Sequence, residues 1–275
     1  MKFKIVALDI DGTLLNSNSK LSLRTEKAIA AARQKGIKIV LATGRRLTNT
    51  LPLVNSLGLS EFVVVHNGAV VYDPISAKTV LQQGIELSLA QSLVDKLESL
   101  AVNYVVYMGE NAGERVVAPQ GKWKEPDSLL TYYLGEDAEF IERVVLESPP
   151  VRISIIDQWE KVDPLYAELL RDYEGDLNAV LYGADRDTWR GIEILPPHSN
   201  KSTGIAFVAE HFGLSAAEVV AIGDNINDLE MISWAGLGIA MENGSKLLKE
   251  KAKRIAPSND EDGVALVIEE LLSEL

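Results

Sequence analysis

The chain has 275 residues, 47% of them hydrophobic and 24% charged, with a formal net charge of −13 and no cysteine. That suits one large or two modest soluble globular domains and excludes the basic face of a nucleic-acid binder. Disulfides, zinc–thiolate sites and thiol nucleophiles are excluded outright, as a reducing cytoplasm would favour.

The opening stretch, MKFKIVALDIDGT, has too short an apolar run for a signal peptide and carries two acids within it. No later stretch approaches the roughly 18–20 apolar residues of a membrane span. The expectation is a cytoplasmic monomer or small homo-oligomer with no membrane partner. FKIVALDI (3–10) predicts a buried parallel strand. Ser22 can cap a helix that runs to Gly36, with Ala28, Ile29, Ala31 and Ala32 on its apolar face. IKIVLATGR (37–45) predicts a second buried strand, Arg46 to Leu57 a helix stopped by Gly58, and FVVVHNGAVVYD (62–73) a third strand broken at Asn67-Gly68. Strand and helix alternating in this way imply a parallel sheet with right-handed crossovers.

From Glu86 to about Asp187 the texture changes. Leu89, Leu93, Leu97 and Leu100 stand near helical spacing, and NYVVYMG, VRISIID and LNAVLYGA look like strands, the second alternating apolar with polar as a half-solvated sheet would. Trp123, Trp159 and Trp189 lie in or beside this part, which predicts an inserted α+β domain. The first pattern then resumes: a helix from Ser202 to Phe212, the strand VVAIGD (219–224), a helix from Ile226, short strands at 236–241 and 253–257, and a last helix from about Asp262. The fold class is α/β, a Rossmann-like parallel-sheet core with an inserted α+β cap. The boundaries fall at 1–84 and 189–275 for the core and 85–188 for the insert.

Ligands of open α/β sheets bind outside the carboxyl ends of the strands. Those ends carry Asp9 and Asp11, then Thr43-Gly44-Arg45, then Gly223-Asp224-Asn225, while Lys201 opens the helix before the last of these. Alternate residues of an extended segment share a face, so Asp9 and Asp11 can converge. Asn227 and Asp228 lie about one helical turn beyond Asp224. Two carboxylates about 5 Å apart at an effective dielectric of about 20 repel by around 3 kcal/mol. Four such acids would consume much of a stability of roughly 5–15 kcal/mol, more than Lys201 alone offsets. Hard oxygen ligands without histidine or cysteine point to Mg²⁺, which also binds substrate phosphate. One carboxylate can then attack phosphorus to give an aspartyl phosphate, and a second can move protons; Asp9 and Asp11 would divide these tasks. Thr43, Gly44, Lys201 and Asn227 are the donor types that three phosphoryl oxygens need.

DIDGTLL (9–15), ATGR (42–45), Lys201, GDNINDLEM (223–231) and GIAMEN (238–243) together resemble the four signature motifs of the haloacid dehalogenase superfamily, and more narrowly its Cof-type phosphatases with a large α/β cap. PSNDEDGV (257–264) is also similar to that subfamily. The resemblance implies that Asp9 is the nucleophile and a Mg²⁺ ligand. Asp11 would be the general acid/base and lend the metal its backbone carbonyl, and Asp224 would be a further ligand. Thr43, Gly44, Lys201, Asn227 and the backbone N–H of Ile10 would hold phosphate, with Asp228 supporting the metal from behind its ligands. An aspartate at position 11 marks the phosphatase branch. His66 stands where a small polar residue is expected, and His198 sits in the loop before Lys201. Arg45 could reach substrate or form a salt bridge, and Asn67 lies near the same cleft.

The function implied is Mg²⁺-dependent hydrolysis of small phosphorylated metabolites, sugar phosphates or phosphorylated cofactors, with the cap choosing the substrate. A phosphotransferase passing the group to another alcohol, or a phospho-acceptor signalling domain with acids, a hydroxyl and a lysine at its strand ends, are the alternatives. The cap and the Asp9–Asp11 pair weigh against the last.

Overall fold

The computed structural model describes residues 2–109, 114–121, 137–183 and 189–273. Trp123 and Thr188 lie outside them. The chain starts with β1 (Ile5–Leu8), α1 (Leu23–Gln34), β2 (Lys38–Leu41), α2 (Leu47–Ser56), β3 (Val63–Val65), β4 (Val70–Asp73) and β5 (Lys78–Gln82). It continues with α3 (Leu87–Ser99), β6 (Tyr104–Met108), β7 (Val116–Pro119), β8 (Glu139–Ile141), β9 (Pro150–Gln158), α4 (Trp159–Asp172), β10 (Asn178–Tyr182) and β11 (Trp189–Leu195). The last part holds α5 (Lys201–His211), β12 (Val219–Gly223), α6 (Leu229–Trp234), β13 (Leu237–Met241), α7 (Lys246–Lys251), β14 (Arg254–Ala256) and α8 (Gly263–Ser273). Two compact units result, one from 1–81 with 200–275 and one from 82–199.

The discontinuous unit is a parallel sheet in the order β14-β13-β12-β1-β2. Every residue of β1 and β12 is buried, so a parallel strand here must be apolar on both faces, as IVAL and VVAIG are. A parallel bridge between Ala42 and Val64 carries the sheet on to β3, which turns back antiparallel into β4. The Ser22 hydroxyl accepts from Thr25 N–H to start α1, and Gly36 at φ +81° follows its end. Asn200 starts α5 in a capping box with Thr203, which fixes Lys201 in the first turn.

The contiguous unit is α+β. Its sheet runs β10-β11-β9-β6-β7-β8, antiparallel except for β7 beside β8. Leu93, Leu97, Val162 and Leu165 from α3 and α4 join Tyr104, Ile153, Ile155 and Ile192 from the strands in one core. The polar residues of VRISIID, expected on a solvated face, are buried instead. Arg152 bonds Glu193 at 3.0 Å and lies 3.9 Å above the Tyr107 ring, while Ser154 is wholly enclosed. A charge can be buried in this way only when paired. Among the described residues no helix is long and apolar enough to cross a membrane.

Candidate active site

Asp9 follows β1 and prolongs its ladder, its N–H donating to the Ile222 carbonyl at 3.0 Å. The chain then turns. Leu14 N–H returns to the Asp9 carbonyl and Leu15 N–H to the Ile10 carbonyl, with Gly12 at φ +79°. A Cβ on Gly12 would stand 2.5 Å from Asp224 Oδ2, so both backbone and space demand glycine there. The next residue, Thr13, donates its hydroxyl to Asp224 Oδ1 at 2.7 Å. Sequence reasoning gave Thr13 no role, although it stands inside the DIDGT stretch.

Lys201 is 1% exposed and donates to Asp9 Oδ1 and Asp228 Oδ1, each at 2.6 Å. Asp228 is fully buried, and its other oxygen accepts from the N–H groups of Asp224 and Asn225 at 2.9 and 3.0 Å. Carboxylate oxygens of Asp9, Asp224 and Asp228 lie within 4.8 Å of one another. Two buried acids thus share Lys201, and the half-buried Asp224 stands beside them with the Thr13 hydroxyl as its donor. Burial pushes the Asp9 carboxyl well above the usual range; Lys201 opposes this, while Asp228 and Asp224 add to it. Asp224 is pushed up to about 6 by burial and then by Asp228, against the pull of Thr13 and Lys201. Burial works against the Lys201 charge, but Asp228 and Asp9 outweigh it and hold the ammonium above the usual lysine range.

This donor set fits a hard divalent cation: it is all oxygen, carries excess negative charge, and strains to keep protons that a cation would replace. Lys201 engages one oxygen of Asp9, and Thr13 one oxygen of Asp224. Asp228 has both oxygens engaged by donors, which suits it to orient Lys201 and the Asp224 turn rather than to ligate.

Asp11 is not among the three acids that gather there. The strand ends at Leu8 and the chain turns through Gly12, so the alternation of an extended segment does not reach residue 11. Its carboxylate takes a forked bond from Arg45, with Nε at 2.7 Å from Oδ2, and is nearly half exposed. The salt bridge left open for Arg45 by the sequence is therefore present.

Beyond β2, Thr43 N–H donates to the Val64 carbonyl, the Thr43 hydroxyl accepts from Arg45 N–H, and the Thr43 carbonyl accepts from Asn67 N–H. His66 and Asn67 are both at φ +49°, in the left-handed region where asparagine and histidine are enriched over other non-glycine residues. Asn67 Oδ1 accepts from Asn227 Nδ2 at 3.0 Å, and a Cβ on Gly44 would lie 3.1 Å from Asn67 Nδ2. Thr43, Gly44, Asn67 and Asn227 thus form one linked group. A Cβ on Gly68 would sit 1.9 Å from the Asn200 carbonyl, which places the same turn against the start of α5. His198 is exposed, at φ +65°, in the contiguous unit.

Residues 6–268 match the family model described as haloacid dehalogenase-like hydrolase. Among curated proteins, the chain is 29% identical to 5-amino-6-(5-phospho-D-ribitylamino)uracil phosphatase YcsE of Bacillus subtilis, over 96% of this chain and 94% of that one. It is 27% identical to phosphatase YwpJ of the same organism, over 98% and 100%. Among solved structures, a haloacid dehalogenase-like hydrolase from Bacteroides thetaiotaomicron superposes with a TM-score of 0.81 at 28% identity, over 98% of this chain and all of that one.

Proposed function

The chain belongs to the haloacid dehalogenase-like hydrolases, and we propose that it is a Mg²⁺-dependent phosphatase of small phosphorylated metabolites, working through an aspartyl phosphate on Asp9. The observation that carries this reading is the group of Asp9, Asp224 and Asp228, with oxygens of the three acids within 4.8 Å of one another and Lys201 bonded to the first and last of them.

Asp9 and Asp224 would hold the metal by their side chains and Asp11 by its backbone carbonyl. When bound, Mg²⁺ supplies positive charge to the acids and to the phosphoryl oxygens. Asp9 attacks phosphorus through a carboxylate oxygen; that O–P bond forms as the bond to the leaving oxygen breaks. Asp11 gives its proton to the leaving alcohol, which first requires release of the oxygen it shares with Arg45. Water then attacks phosphorus, Asp11 takes its proton, and the Asp9–phosphorus bond breaks to free phosphate. Lys201, Thr43, Gly44, Asn227 and the Ile10 N–H are the donors for the phosphoryl oxygens. The substrate printed in the name of YcsE, a phosphorylated ribitylaminouracil, belongs to the proposed class, as do sugar phosphates. We assign the choice among them to residues 85–188, and the site of action to the cytoplasm.

Asp9→Asn keeps the shape of the side chain and removes the attacking anion. It is expected to lower phosphate release from p-nitrophenyl phosphate by about a thousandfold or more with the fold intact by near-UV circular dichroism. Chelation of divalent ions should do the same, and added Mg²⁺ should reverse that. An unimpaired Asp9→Asn protein rules the mechanism out.

A further inference from the structure

GIAMEN and PSNDEDGV contribute no group to the chemistry above, yet in the fold both meet the loop that presents Asp9 and Asp11. Asn243 Nδ2 donates to the Gly12 carbonyl at 2.8 Å, and Asn243 Oδ1 accepts from Asn259 N–H at 3.0 Å. Asn259 Nδ2 donates onward to the Leu15 carbonyl at 2.9 Å, and Asp260 Oδ1 accepts from Ser17 N–H at 2.9 Å. The same strap reaches Asp224: Ser245 N–H donates to the Asp224 carbonyl at 2.8 Å, and a Cβ on Gly244 would lie 2.8 Å from that carbonyl. Residues 243–245 therefore grip the Gly12 peptide and the Asp224 peptide at once.

The loop has need of this. Its own backbone bonds include Leu14 to Asp9 at 3.3 Å and Leu15 to Ile10 at 2.9 Å, both spanning a glycine with wide conformational freedom. An in-line displacement tolerates little error, since a misplacement of about 1 Å costs about a hundredfold in rate. The Asn243 carboxamide carries its donor and its acceptor on separate atoms of one short side chain, as a relay from Asn259 through Asn243 to Gly12 requires.

We propose that Asn243 and Asn259 are positioning residues: an amide relay that fixes the Asp9–Asp11 loop against Asp224. The catalytic half of this inference rests on the phosphatase reading; the structural half does not. Asn243→Ala, Asn243→Asp and Asn259→Ala, each in the full chain, test it by amide hydrogen exchange at Leu14 and Leu15 and by kcat and KM for p-nitrophenyl phosphate with Mg²⁺.

Exchange is expected to quicken, and kcat to fall about tenfold with KM within about twofold, the equivalent of one hydrogen bond or about 1.4 kcal/mol. Asn243→Asp keeps the acceptor for Asn259 N–H but sets an oxygen against the Gly12 carbonyl, so it should fail as Asn243→Ala does. Wild-type exchange rates in the variants overturn the relay. Faster exchange with an unchanged kcat, or an Asn243→Asp protein as active as wild type, overturns the positioning role. A wild-type chain that releases no phosphate overturns the phosphatase reading and the catalytic half with it, while the exchange rates still decide the relay.

Discussion

Lys201 divides its ammonium between Asp9 and Asp228, and Asp224 is left with a neutral donor, the Thr13 hydroxyl. This asymmetry gives the metal-free chain a pH dependence of definite sign. The Asp224 carboxyl sits at about 6, against an ordinary aspartate value of about 3.9 in the unfolded chain. Between those values the folded chain keeps a proton that the unfolded chain has released, so stability falls as pH rises through the window. Asp9 is displaced in the same direction. Two units correspond to roughly 2–3 kcal/mol. Asp73 and Glu86, lowered by hydrogen bonds from Ser76 and Ser88, act with the opposite sign, but at and below about pH 4.5, so they do not enter a comparison made at pH 5 and above. The urea midpoint of the metal-free chain should therefore be lower at pH 7.5 than at pH 5. Asp224→Asn should flatten that difference, and Mg²⁺ should raise the midpoint at pH 7.5 by binding the folded form alone. A midpoint that does not change with pH contradicts the charge arrangement. At this scale the sequence disclosed which acids would crowd together, because strand ends set Asp9 and Asp224 side by side. It did not disclose the engaged oxygens of Asp228 or the pairing of Asp11 with Arg45, since both depend on backbone turns at Asp224 and Gly12 that no periodicity encodes.

Helix α5 carries Lys201 in its first turn and leans on β3 through Gly204, where a Cβ would stand 2.4 Å from Val64 Cγ1 and 3.3 Å from Gly68 Cα. Alanine in place of a helical glycine ordinarily gains about 1 kcal/mol, but overpacking a filled interface costs roughly 1–3 kcal/mol. Gly204→Ala should thus destabilise the chain despite its better helix propensity, and should lower activity by moving the Lys201 ammonium off Asp9. Val64→Ala makes room for the added methyl. Urea unfolding of the two single variants and the double variant should show a favourable coupling of about 1 kcal/mol or more; additivity within about 0.5 kcal/mol would mean that the two residues do not press on each other. Strands and helices with strong periodicity were legible, among them β1, β2, β12 and α1. Helix α4 was not, because Pro164 within WEKVDPLYAELLRD looks like a breaker, although Val162, Leu165 and Leu169 have helical spacing and are the residues it buries. Strand β5 has no fully buried residue and so left no apolar run to read.

For the molecule as a whole, the discontinuity of one unit and the continuity of the other were visible as a change of texture and its reversal, since buried parallel strands and half-polar antiparallel ones differ in composition. Burial of the polar face of β9 was not visible, because it takes the pairing of Arg152 with Glu193, residues far apart in sequence. That ion pair, the Tyr107 ring beneath it and the apolar cluster of α3, α4, β6, β9 and β11 all belong to residues 82–199. Such a stretch holds its own core and both partners of its buried charge, and its length lies within the common range for a domain. Expressed alone, it should unfold in a single cooperative transition with an enthalpy of about 80 kcal/mol, at about 0.7 kcal/mol per residue. Its calorimetric and van't Hoff enthalpies should agree. Without Asp9, Lys201 and Asp224 it should release no phosphate from p-nitrophenyl phosphate. Glu193→Gln should destabilise the isolated unit by about 3–5 kcal/mol, because the buried Arg152 guanidinium would lose the carboxylate that meets it at 3.0 Å. A broad, uncooperative melt for the unaltered fragment would show that its core is completed by residues outside 82–199.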